Sequence, residues 1–187
     1  ANNNLIQYNN KDAANNWING TPGQVNSTAT SPTTITELRF DEFSTITLTL
    51  LGSPYIASAI IIPAAKTLVV EPGVQVKFKD NAGYLTVQGT LKAQGTQASG
   101  ITFTVTDLGA IWCGIRVIAP STASQLDYVT IDKAQSTGSS FCNDSINYAM
   151  YVDSSAVTIN NSIIQTGSYH RKLYLKNSNS TINASTI

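Results

Sequence analysis

Gly114-Ile115-Arg116-Val117, followed by Leu126-Asp127-Tyr128-Val129-Thr130-Ile131, is a phrase that the chain writes three times. It returns as Ala149-Met150-Tyr151-Val152 with Ile159-Asn160-Asn161-Ser162-Ile163-Ile164, and again as Lys172-Leu173-Tyr174-Leu175 with Ile182-Asn183-Ala184-Ser185-Thr186-Ile187. The last two copies keep one offset, so Tyr151 matches Tyr174, Asp153 matches Lys176, Asn160 matches Asn183 and Ile164 matches Ile187. That offset, about 23 residues, falls among the periods that signal a solenoid.

Both halves of the repeat read as strand. Ile115 and Val117, Met150 and Val152, and Leu173 and Leu175 alternate with other residues, and Ser, Asn and Gly separate the runs with no helical spacing between them. A leucine-rich repeat would need a helical half. The pattern therefore predicts an all-β parallel β-helix, with two or three short strands per coil stacked at roughly 4.8 Å. It places Val117, Val152 and Leu175 in one inward column, Leu126, Ile159 and Ile182 in a second, and Ile131, Ile164 and Ile187 in a third. Ser162 over Ser185 makes a small inward stack. Outside, Arg116, Tyr151 and Tyr174 form a column of flat side chains, and Asp127, Asn160 and Asn183 a polar ladder.

Upstream, the runs Ala59–Pro63, Thr67–Val70 and Val74–Phe78 are separated by Pro-Ala-Ala-Lys and Glu-Pro-Gly, which are turn chemistry. The order Leu68-Val69-Val70-Glu71-Pro72-Gly73-Val74, Leu85-Thr86-Val87-Gln88-Gly89-Thr90-Leu91, Ala93-Gln94-Gly95-Thr96, Ile101-Thr102-Phe103-Thr104 and Trp112-Cys113-Gly114-Ile115, closing on Leu126 to Ile131, resembles the right-handed parallel β-helix repeat proteins of prokaryotic cell surfaces. The resemblance covers residues 53–187. It implies a pectate-lyase-like solenoid of about five coils, secreted or surface-exposed. It implies no single activity, because that superfold carries lyases, hydrolases, tailspikes, adhesins and plain scaffolds. Residues 1–52, rich in Asn with scattered aromatics and strand-like from Ile35 onward, lie outside it and are expected to act as a cap or an intersubunit extension.

Composition bounds the rest. The chain has 187 residues, 12% of them charged, and a formal net charge of zero. That balance offers no footprint for nucleic acid, and no apolar run approaches the ~20 residues a membrane span needs. The Asn-, Ser- and Thr-rich surface suits an extracellular or cell-surface location, and the start at Ala1 without Met suggests a processed end. Sequons at Asn19, Asn26, Asn143, Asn160, Asn179 and Asn183 permit N-glycosylation in a source with the machinery. Cys113 opens one coil and Cys142 precedes the next, so a disulfide between them is geometrically reasonable, worth roughly 3 kcal/mol in an oxidising compartment.

Polysaccharide cleavage on a β-helix needs carboxylates clustered on one outer face. The candidates are Asp127, Asp132, Lys133, Asp153, Arg116, Lys176, His170 and Arg171. Register argues against them: Asp153 falls on Lys176 as an ion pair, and Asp127 falls on Asn160 and Asn183. His170 is alone, so neither a metal nor a cofactor is expected. The expectation is a non-enzymatic structural or adhesive protein that self-associates head to tail or contacts other surface proteins through its leading segment. The alternative is a polysaccharide-binding or polysaccharide-cleaving module, with Arg116, Tyr151 and Tyr174 touching sugar.

Overall fold

The structure is a computed structural model that describes residues 4–5, 24–25, 33–35, 38, 40, 43–79, 83–107, 110–118, 123–135, 148–166 and 171–187. It is a right-handed parallel β-helix. Each complete coil lays one strand on each of three sheets, as in Ala59–Ile62, Thr67–Val70 and Gln75–Phe78. The first sheet stacks Ala59–Ile62, Tyr84–Val87, Ile115–Ile118, Tyr148–Asp153 and Arg171–Lys176. The second stacks Gln24–Val25, Thr45–Leu48, Thr67–Val70, Thr90–Gln94, Ser124–Asp127, Val157–Asn160 and Thr181–Asn183. The third stacks Asn4–Leu5, Thr33–Ile35, Tyr55–Ala57, Gln75–Phe78, Ile101–Val105, Val129–Ile131 and Ile163–Ile164.

Among the described residues the strands pair in parallel, because a strand's neighbour lies one full coil away in sequence. The inward columns form as the repeat predicts. Val117 pairs with Val152 and Val152 with Leu175, Leu126 with Ile159 and Ile159 with Ile182, and Ile131 with Ile164. The alternating residues Ile60, Ile62, Leu68, Val70, Leu85, Val87, Leu91 and Ala93 are buried throughout. Phe78 and Trp112 stack at 4.2 Å with planes 6° apart. The indole donates its N–H to the Asp132 carbonyl at 2.8 Å, so the largest buried side chain leaves no polar atom unmet. In the last coil the matching side chains Leu175, Ile182 and Ile187 are 39, 39 and 38% exposed.

The solenoid reaches further toward the N-terminus than the turn order predicts. Thr45–Leu48 pairs with Thr67–Val70, and Thr33–Ile35 with Tyr55–Ala57, so part of the expected extension supplies rungs of the second and third sheets. The Thr45/Thr47 alternation against Ile46 and Leu48 follows the same inside-outside rule as the later coils.

Two devices turn the chain at the corners. Between the second and third sheets, a single residue in the left-handed region makes the bend: Tyr128 (φ 50°), Asn161 (φ 49°) and Ala184 (φ 44°). Asn161 suits that region, whereas Tyr128 and Ala184 are held there against a cost of roughly 1–2 kcal/mol. Rung hydrogen bonds hold them, with Tyr128 N–H donating to Asn160 O and Ile101 N–H donating to Tyr128 O. The second device is a corner serine. The backbone N–H of Leu91 donates to Ser124 Oγ, Val129 to Ser162 Oγ, Val157 to Ser180 Oγ and Ser162 to Ser185 Oγ, each at 2.9–3.0 Å. Each hydroxyl thus satisfies a donor of the preceding coil where the strand ladder breaks.

Ser162→Ala is expected to destabilise by roughly 1–3 kcal/mol, because it leaves the buried Val129 N–H without an acceptor. Ser53→Ala, which removes an acceptor from the exposed Gln75 N–H, costs less. Urea unfolding followed by far-ultraviolet circular dichroism compares the two, and equal losses would contradict this account.

Candidate functional site

The outer face of the first sheet collects most of the side chains that carry chemistry. Because strand residues alternate, Gly114, Arg116 and Ile118 lie over Ala149, Tyr151 and Asp153, and these over Lys172, Tyr174 and Lys176. Gly114 is required at the head of this face. Its φ is +81°, and a Cβ there would run into the Ala149 carbonyl oxygen.

The flat column assembles, and Tyr148 and Arg171 join it. The Arg116 guanidinium lies 5.7 Å from the centre of the Tyr151 ring. Tyr151 and Tyr174 stack at 5.5 Å with planes 9° apart. Tyr148 also stacks on Tyr174, at 4.8 Å, and Arg171 lies over Tyr148 at 5.6 Å while donating to its hydroxyl at 2.7 Å. The column has an order of exposure: Tyr151 is 7% exposed and Tyr174 38%. Tyr151, with Arg116 over its ring and Tyr174 stacked on it, offers little to an incoming sugar, and Tyr174 is the accessible ring.

Beside the rings lies a closed polar knot. Asp153 accepts from Lys176 Nζ at 2.9 Å, from the Tyr151 hydroxyl at 2.9 Å and from the Ser154 hydroxyl at 2.9 Å. The Lys176 bond, then those from Tyr151 and Ser154, hold its carboxyl at about 2, down from 3.8. Asp153 in turn raises the Lys176 ammonium. Burial, and then donation to Asp153, raise the Tyr151 hydroxyl.

The second sheet carries the polar ladder. Asn183 Nδ2 donates to Asn160 Oδ1 at 2.9 Å, and Asn160 Nδ2 donates to Asp127 Oδ1 at 2.6 Å. Gln94 extends the ladder by one rung, donating to Asp127 Oδ2 at 3.3 Å. Both Asp127 oxygens therefore accept a ladder amide. Asp132 sits apart on the third-sheet corner and accepts from Thr104 Oγ1 at 3.3 Å. Among the described residues no group of three His, Cys, Asp or Glu side chains gathers in the way that metal binding requires. Nor, among the described residues, is any helix long and apolar enough to cross a membrane.

Cys113 is buried and disulfide-bonded. Cys142, the chain's other cysteine, lies outside the described residues, as do His170, Asn19, Asn26 and Asn143. Of the remaining sequons, Asn160 and Asn183 commit their amide nitrogens to the ladder, and Asn179 is exposed.

No family model, curated protein or solved structure matches this chain.

The knot makes a pH prediction. A carboxyl held below its ordinary value stabilises the fold above that value, and the contribution is lost as pH falls through the folded value. Asp153→Asn is therefore expected to be less stable than the parent near neutral pH, with the gap closing between about pH 4 and pH 2. Thermal midpoints across that window check it, and a gap that stays constant to pH 2 would remove Asp153 from the account.

Proposed function

We propose that the chain is a non-catalytic structural and adhesive β-helix of the pectate-lyase-like superfold, working outside the cell or at its surface. The observation that carries this reading is the state of the outward carboxylates. Asp127 accepts on both oxygens from Gln94 and Asn160, and Asp153 accepts from Lys176, Tyr151 and Ser154. A general acid or base needs an oxygen facing the substrate at a protonation state suited to proton transfer. Asp153, held at about 2, is a poor match for that work.

The same chemistry supports self-association along the solenoid axis. Amide ladders such as Asn183 over Asn160, and parallel backbone pairing, work equally well within one chain and between rungs of two chains. A head-to-tail contact of that kind does not close, so its product is a filament or a layer.

Native material is expected to appear as rods or filaments in negative-stain microscopy, with scattering mass rising with concentration, and to release no reducing ends from polysaccharides. Release that disappears in Asp127→Ala or Asp153→Ala would replace this reading with an enzymatic one. A monodisperse monomer at high concentration would remove the self-association.

A further inference from the structure

The ionised residues are unevenly shared among the three sheets. In a chain with 11 basic and 11 acidic residues, the first-sheet strands Ile115–Ile118, Tyr148–Asp153 and Arg171–Lys176 carry Arg116, Arg171, Lys172 and Lys176 against the single acid Asp153. The two earlier strands of that sheet, Ala59–Ile62 and Tyr84–Val87, carry no charge. Asp153 is already committed to Lys176. The surplus is therefore positive and local.

Strand geometry arranges it. Lys172, Tyr174 and Lys176 alternate along one strand, so all three project from the outer face at spacings of roughly 7 Å. Tyr174 is fixed by stacking on Tyr151 and Tyr148, and Arg171 is fixed over the Tyr148 ring. Lys172 is exposed and has no ion pair among the described residues. A cation on each side of an immobilised aromatic ring suits a polymer that alternates flat rings with negative groups. The stacking gives contact area without loss of rotamer freedom at binding.

From these observations we infer that the outer face of the first sheet, centred on Lys172, Tyr174 and Arg171, binds an anionic polysaccharide. A sugar ring lies against Tyr174, and its carboxylate, sulfate or phosphate groups meet Lys172 and Arg171. The inference rests on the adhesive part of the reading above and names the class of surface to which the scaffold adheres.

Affinity electrophoresis of the full chain tests it, using polygalacturonate and heparin as anionic probes, dextran as the neutral probe and single-stranded DNA as the competing polyanion. Retardation is expected by the anionic polysaccharides and not by dextran, weakening as salt rises from about 50 to about 500 mM. Lys172→Glu and Lys172→Gln should each weaken it, the reversal by about tenfold. Lys92→Glu, at an exposed lysine of the second sheet, should leave it unchanged. Tyr174→Ala should weaken binding while keeping its salt dependence. Equal loss in Lys92→Glu, equal retardation by dextran, tighter binding to DNA or no retardation by any probe would overturn the inference. In that last case rods in the microscope would leave the scaffold reading standing, whereas loss of rods with retardation intact would do the reverse.

Discussion

Everything in this molecule depends on parallel pairing between a strand and the strand one coil later. A parallel ladder forces residue to stand over residue in fixed register, so each position along a coil becomes a column through the molecule. Apolar columns are easy to satisfy, and Val117 over Val152 or Leu126 over Ile159 needs only similar volume. Polar columns are harder. Groups at successive rungs lie about 4.8 Å apart, and like charges at that distance repel. Asp127 is followed by Asn160 and Asn183, and Asp153 by Lys176. The ladder therefore shapes electrostatics as well as packing.

The corners show where the ladder's reach ends. Strand pairing stops at each bend, and the backbone donors stranded there need other acceptors. The serine hydroxyls at 124, 162, 180 and 185 provide them. Serine fits because its short side chain turns inward beside the core without pushing the coils apart. A threonine would add a methyl to a close-packed stack. The left-handed residues at the second corner complete the bend, and their recurrence at Tyr128, Asn161 and Ala184 shows that corner geometry, more than residue preference, decides the conformation.

Much of this was legible in the sequence wherever the period is constant. Between the last two coils the offset is 23 residues throughout, and the pairs Tyr151–Tyr174, Asp153–Lys176, Asn160–Asn183 and Ser162–Ser185 were all readable from it. Between earlier coils the step varies, with 23 residues from Leu68 to Leu91, 28 from Phe103 to Ile131 and 33 from Ala93 to Leu126, and the signal faded accordingly. Gln94 over Asp127 was hidden by that change, although its partner had been identified. The rungs at Thr33–Ile35 and Thr45–Leu48 were hidden for a related reason: among the described residues those coils contribute strands to the second and third sheets and none to the first. Tyr148 was legible only as an aromatic close to the column, because its contact with Tyr174 is diagonal and register reasoning gives only vertical neighbours.

Variable coil length also separates scaffold from surface. The bend between the second and third sheets changes length without disturbing register: Tyr128 alone joins Asp127 to Val129, six residues, 95–100, join Gln94 to Ile101, and Ala93 still pairs with Leu126 and Ile101 with Val129. The first sheet tolerates the same variation, since the step from Arg116 to Tyr151 is 35 residues and from Tyr151 to Tyr174 is 23, and both pairs keep register. A corner that lengthens without disturbing register can change its residues without loss of stability, and the sheet beside it inherits that freedom. The first sheet has gathered stacked outward rings and four cations on its last three strands, while the outer face of the second sheet carries the amide ladder on Asp127. A β-helix thus gains a chemically distinct face without disturbing its core, because its columns are independent of what the corners carry.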